Sequence, residues 1–274
     1  MLRLLLLRLS TLRLPAGWVV RLALPLLVAA PLTAQTEAPI ADNSFLIEEA
    51  YNQEAGVVQH VSTFVLAEGG EGWDFSFTQE WPLTGPRHQV GFTLPVSHID
   101  PEGTGVGDVV LNYRYQLAGE GESPLYVAPR LSLLVPTGSE ASGHGAGALG
   151  VQLNLPVSYV VAPSIATHWN GGAALGTGET TFDVSLGASV VWLARPAFNV
   201  LLEALWLSEG VPGAANREES AFLNPGIRWA HDFAGGLQIV PGLAYTIGLG
   251  PSAGEDALFL YLSFEHPFRR VRQE

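Results

Sequence analysis

Residues 149–161 read Leu149-Gly150-Val151-Gln152-Leu153-Asn154-Leu155-Pro156-Val157-Ser158-Tyr159-Val160-Val161. Leu149, Val151, Leu153, Leu155, Val157, Tyr159 and Val161 fall on one side of a two-residue repeat, and Gln152, Asn154 and Ser158 on the other. Successive side chains of a strand point to opposite faces, so the spacing predicts a strand with one apolar and one polar face. The polar face carries amides and hydroxyls with little charge. That suits a strand that turns its apolar side to lipid and its polar side to an enclosed lumen.

The same alternation recurs along most of the chain. Trp73, Phe75, Phe77 and Trp81 oppose Asp74, Ser76, Thr78 and Glu80; Val109, Leu111, Tyr113, Tyr115 and Leu117 oppose Asp108, Asn112, Arg114 and Gln116. Counting such runs predicts strands near 55–66, 72–82, 87–98, 106–117, 124–135, 148–161, 164–175, 181–193, 197–208, 221–231, 236–249 and 257–268. Twelve is an even number, as antiparallel closure with both termini on one side requires. Ala162-Pro163, Ala194–Pro196 and Asp232–Gly235 read as tight turns, all on the side of the termini, whereas Pro136–Gly147 and Glu209–Ser220 read as long glycine-rich loops. Short turns on one side and long loops on the other predict an all-β fold, a transmembrane antiparallel β-barrel of about 12 strands spanning 55–268. A soluble sandwich also alternates, but it would place charge on the outward polar faces. Phe198, Leu201, Leu202 and Leu205 also satisfy helical spacing, so Phe198–Leu207 is ambiguous on local pattern alone. Its position between two turn signals favours a strand. Residues 47–54 fit no strand pattern and leave 35–54 as an N-terminal periplasmic or plug segment.

Composition agrees with export to a membrane. Only 14% of residues are charged, against about 25% in a soluble domain. The N-terminus carries Arg3, Arg8, Arg13 and Arg21, an apolar run from Leu22 to Ala30, and Leu32-Thr33-Ala34 before Gln35. This predicts a signal peptide at 1–34 and a mature start near Gln35. A retained anchor is the rival, but the run is shorter than the roughly 20 residues a spanning helix needs. Removing the segment takes four of the 13 basic residues and none of the 26 acidic ones, an acidic balance that argues against nucleic acid as a partner. The chain has no cysteine, which excludes disulfides, thiolate metal sites and thiol nucleophiles.

Leu258, Leu260, Leu262, Phe264, His266 and Phe268 alternate with Phe259, Tyr261, Ser263 and Glu265. An amphipathic last strand closing on an aromatic resembles the signal read by the barrel-assembly machinery, although here a six-residue extension, 269–274, follows it. Further segments carry a family resemblance: Asn43-Ser44-Phe45-Leu46-Ile47-Glu48-Glu49-Ala50-Tyr51-Asn52-Gln53-Glu54 leading into Gly56-Val57-Val58-Gln59-His60; Gly105-Val106-Gly107-Asp108-Val109 before Asn112-Tyr113-Arg114-Tyr115; Pro129-Arg130; and Leu134-Val135-Pro136-Thr137-Gly138. In this order they resemble the outer-membrane transporter-like family named for a meta-pathway of phenol degradation. The resemblance implies a barrel with a transport role, and it brings no catalytic residues and no substrate.

Other constellations are weaker. Gly145–Gly150 matches GxGxxG, but an alternating strand with Pro156 follows where a dinucleotide site needs a helix. The histidines His60, His88, His98, His144, His168, His231 and His266 form no ligand pair in sequence, so neither a metal nor a cofactor is expected. Ser139, Ser142 and His144 supply the residue types of a barrel hydrolase, yet a glycine-rich loop alone does not fix their geometry. Trp73, Trp81, Tyr113, Tyr159, Trp169, Trp192, Trp229 and Tyr245 suit interfacial girdles and equally suit ordinary packing.

With the apolar faces toward lipid, the lumen receives Asp74, Glu80, Asp108, Asn112, Arg114, Gln116, Arg130, Ser132, Gln152, Asn154, His168, Asn170, Asp183, Glu203, Asn224, Arg228 and Glu265. Its six acids against three arginines predict a preference for cations or neutral solutes. The expected activity is passive passage of a small-molecule solute across the outer membrane, with outer-membrane lipid as the surrounding partner. A closed structural or adhesive barrel is the alternative, since twelve strands lie between the filled and the porous barrel sizes. Neither the solute nor the oligomeric state is legible.

Overall fold

The computed structural model describes residues 44–268 apart from 71, 122, 178–180 and 213–216. The expected signal peptide at 1–34 and the extension at 269–274 lie outside the described residues. Fifteen strand segments form one antiparallel sheet, and three crossings are each interrupted once, so the chain crosses twelve times. The crossings are β1 (Val57–Ala67), β2 (Gly72–Pro82), β3 (His88–Ile99), β4 (Gly103–Val106 and Val109–Tyr115), β5 (Leu125–Val127 and Arg130–Val135) and β6 (Gly150–Ala162). They continue as β7 (Ile165–Gly176), β8 (Thr181–Arg195), β9 (Phe198–Glu209), β10 (Glu218–Trp229, extended by His231–Asp232), β11 (Gln238–Leu249) and β12 (Ala257–Pro267).

Each crossing pairs with its sequence neighbours, and β1 pairs with β12 from Val57↔Pro267 to Ala67↔Ala257, which closes the barrel. The break in β4 is a bulge. Val96 faces Val106 but Thr93 faces Val110, so Gly107-Asp108 adds one residue to the strand. The break in β5 keeps register, with Val127↔Val157 and Arg130↔Asn154 on either side of Ala128-Pro129. Proline has no N–H for the ladder, and only the Pro129 carbonyl is used, by Tyr115 N. The segment Phe198–Leu207, ambiguous on pattern, is strand throughout.

Alternation along β6 is plain: Leu153, Leu155 and Tyr159 are exposed, and Asn154, Pro156 and Ser158 are buried. Leu111, Leu131, Leu186, Leu202, Leu243, Leu258, Leu260 and Leu262 extend the exposed apolar surface around the barrel. An outward leucine belt of this extent is stable only in lipid. Tyr113, Tyr159, Trp192 and Trp229 stand on the same outer surface, near the ends that carry the tight turns.

The inside is not uniformly polar. Along β8–β12 the inward residues include Val191, Leu193, Leu201, Leu205, Leu207, Phe222, Val240, Ala244, Phe259 and Tyr261, which form one buried cluster with Phe45, Leu46 and Ile47. The side formed by β2–β7 presents Thr78, Glu80, Thr93, Asn112, Arg114, Ser132, Asn154, Ser158 and His168. The lumen wall is therefore polar along β2–β7 and mixed along β8–β12, where Glu203, Asn224 and Arg228 stand among the apolar side chains.

Candidate functional site

Residues 44–54 run through the interior. Their backbone and side chains hydrogen-bond or ion-pair with inward residues of nine crossings, and Phe45–Ile47 and Ala50 are buried. At one end, Phe45 stacks on Phe259 at 5.4 Å and meets Tyr261 at 5.2 Å. The wall makes room for it with glycines: a Cβ at Gly226 or at Gly242 would approach the Phe45 ring to 2.6 Å. Gly187 does the same for Ile47.

The backbone of this turn is held by one carboxylate. Glu203, wholly buried on β9, accepts from the N–H groups of Phe45 at 3.1 Å, Leu46 at 3.0 Å and Ile47 at 3.1 Å. Asn224 Nδ2 donates to its second oxygen at 2.7 Å, and Thr246 Oγ1 donates to Asn224 Oδ1 at 2.8 Å. Successive N–H groups converging on an anion are a recurrent binding concavity. Here the anion is supplied by the wall.

The next two residues gather the wall arginines. Glu48 pairs with Arg130 at 2.7 Å and lies 4.0 Å from Arg114, and Asn154 Nδ2 donates to it at 2.9 Å. Asn170 bonds the Glu48 backbone in both directions, at 2.8 and 2.9 Å. Glu49 pairs with Arg228 at 3.0 Å and accepts from Ser44 Oγ at 2.8 Å. Arg114 also donates to the carbonyls of Glu49 and Tyr51 and to Asn52 Oδ1. Further along, Gln116 bonds Ala50 and Asn52, Gln89 accepts from Gln53 N, and Gln53 Nε2 donates to Gln59 on β1 and to Glu265 on β12. The Tyr51 phenol is pushed above its ordinary range, first by burial and then by Glu49 and Tyr126.

The lumen residues read from the sequence thus sort into groups. Arg114, Arg130 and Asn154 surround Glu48, Glu203 and Asn224 hold the turn at 45–47, and Arg228 meets Glu49. Asn112 is bonded within the wall, accepting from Ser132 Oγ at 2.7 Å. Asp108 and Asp183 are tied to loops instead. Asp108 accepts from Gly138 N at 2.9 Å and Ala146 N at 2.7 Å, and Asp183 accepts from Gly210 N at 3.3 Å. Asp74 is half-buried at the opposite end of β2 from Glu80. Sequence reasoning missed Glu48 and Glu49 as partners of the arginines. The available signal was three inward arginines, Arg114, Arg130 and Arg228, beside an acidic segment with no strand of its own.

A cavity of about 130 Å³ remains between the inner segment and the wall, with Glu80, Thr93, Arg130 and Asn154 on one side and Phe45, Leu46, Phe259 and Tyr261 on the other.

Two serine–histidine contacts resemble hydrolase parts. Ser142 Oγ lies 2.9 Å from His144 Nδ1, but His144 Nε2 meets the Gly103 carbonyl, where a carboxylate would be needed to orient a base. Ser158 Oγ lies 2.7 Å from His168 Nδ1, but it is fully buried and occupied by Ala50 N at 2.7 Å. Gly145–Gly150 leads into β6, not a helix, so it lacks the context of a phosphate-binding turn.

Comparison with solved structures places the fold among outer-membrane barrels. An outer-membrane channel from Pseudomonas putida F1 superposes with a TM-score of 0.54 at 17% identity, covering 79% of this chain and 97% of that one. The NanC porin gives a TM-score of 0.53 at 7% identity, covering 76% and 98%. These likenesses concern the fold alone. No curated protein gives a significant match. Residues 40–245, spanning the inner segment and the wall through most of β11, match the family described as "Putative MetA-pathway of phenol degradation", and the chain belongs to that family.

Proposed function

We propose that the protein is an outer-membrane channel for passive passage of small molecules, in which residues 44–54 act as a plug that sets the aperture. The observation that carries this reading is the cavity left between that segment and the polar side of the wall. A barrel filled only for stability would pack that space, because interiors tolerate few voids larger than a water. The two neighbours described as a channel and a porin lend the same reading support. It carries with it export by a signal peptide, recognition of the last strand by the barrel-assembly machinery, and the lumen lining given above.

Single-channel recording in a planar bilayer tests it. The full chain should conduct, and a variant lacking 44–54 should conduct more. The closed structural barrel is the second reading, favoured by the density of bonds from Glu203 to the backbone of 45–47. It requires silence from the full chain.

A further inference from the structure

We propose that the cavity beside the inner segment is a binding site for a small organic ammonium ion with an apolar body. Three polar atoms of its lining have no hydrogen-bond partner among the described residues: Glu80 Oε2, Asn154 Oδ1 and Arg130 Nε. Glu80 and Asn154 are only 7% and 8% exposed. Arg130 and Arg114 already share Glu48, and Glu80 has no ion-pair partner among the described residues. A nearly buried carboxylate oxygen that faces a cavity without a donor is unfavourable, and an ammonium entering the cavity supplies that donor. Gly91, opposite Glu80 on β3, has no side chain to cover the carboxylate; a Cβ there would lie 3.2 Å from Glu80 Cγ.

The opposite side of the cavity is Phe45, Leu46, Phe259 and Tyr261, mostly ring and alkyl surface that suits a ring or alkyl body better than a hydrated metal ion. The volume of about 130 Å³ is close to that of apolar cavities that take up benzene, so the body holds roughly six to eight heavy atoms. The ammonium donates to Glu80. The free Asn154 oxygen and Arg130 nitrogen accept and give a bond to a second polar substituent or to water.

This site deepens the channel reading by naming a solute class, and it rests on that reading for the ligand's way into the lumen. Calorimetric titration of the purified full-length protein in detergent, against matched micelles, tests it with benzylamine, benzyl alcohol and benzoate. Benzylamine should bind about tenfold or more tightly than benzyl alcohol, as a hydrogen bond to a charged group implies, and benzoate should not bind. Glu80→Gln should abolish the preference for amine over alcohol. On the unaltered protein, trimethylbenzylammonium, with the same charge and no N–H, should bind at least about tenfold more weakly than benzylamine. Equal binding of amine and alcohol, a preference that survives Glu80→Gln, or no binding of benzylamine overturns the site. Conductance of the same preparation is scored separately: binding without conductance supports the site and overturns the channel, whereas conductance without ammonium preference does the reverse.

Discussion

Glu203 takes the backbone N–H of Leu46 on both carboxylate oxygens, at 3.0 and 3.1 Å. With Phe45 and Ile47 on the same group, a strand side chain replaces the ladder bonds that the inner segment lacks. Buried backbone donors must find partners, and this one residue supplies three of them.

Removing that acceptor should loosen the segment. Glu203→Ala leaves the three donors buried and unpaired, a cost of about 3 kcal/mol or more, while Glu203→Gln keeps one acceptor oxygen and costs less. The midpoint of thermal unfolding in detergent should fall in the order wild type, Gln, Ala, and conductance should rise in the same order. Unchanged conductance in Glu203→Ala would separate the segment from the aperture.

Phe45 and Gly242 should be energetically coupled. Gly242→Ala puts a methyl group 2.6 Å from the ring, so the single variant is destabilised by about 1 to 3 kcal/mol. Adding Phe45→Ala removes the clash, and the double variant should be more stable than the sum of the singles by about 1 kcal/mol. Strict additivity in a double-mutant cycle would place the ring elsewhere.

The two faces of β6 should tolerate charge differently. Leu153, 60% exposed in the outer belt, should resist Leu153→Arg at about 2 to 4 kcal/mol and yield little folded barrel on heat-shift gels. Gln152→Glu, beside Arg130, should fold normally. Similar yields from both would reverse the assignment.

Ion preference should follow Glu80 and not Asp108. Under a KCl gradient the reversal potential should have the cation-selective sign, and Glu80→Gln should reduce it. Asp108→Asn should leave it unchanged, because that carboxylate is engaged by Gly138 and Ala146 and serves the loop. An anion-selective wild type would contradict the lumen charges altogether.

The barrel was legible because its outer face is enforced by lipid at every crossing. β6 shows this best, with Leu153, Leu155 and Tyr159 outward and Asn154, Pro156 and Ser158 inward. Phe198–Leu207 was ambiguous for a physical reason. Leu202 meets lipid while Leu201 and Leu205 meet Phe45–Ile47, so both faces of β9 are apolar and the two-residue period fades. Of the site, the polar wall residues were recognisable as a set, but their grouping was not. Asp108 and Glu203 look alike in sequence, and only the inner segment and the loop at 136–147 separate an anchor for one from an anchor for the other.

Gln53 bonds at once to Gln59 and to Glu265, residues on the first and last strands that meet only where the barrel closes. The segment is synthesised ahead of every strand, yet this contact cannot form until the final hairpin has zipped against β1. Its seating is therefore a record of completed assembly. A crosslink trapped between positions 53 and 265 would serve as a clock for the last step of folding, distinguishing a sealed barrel from an open sheet of the same strand content.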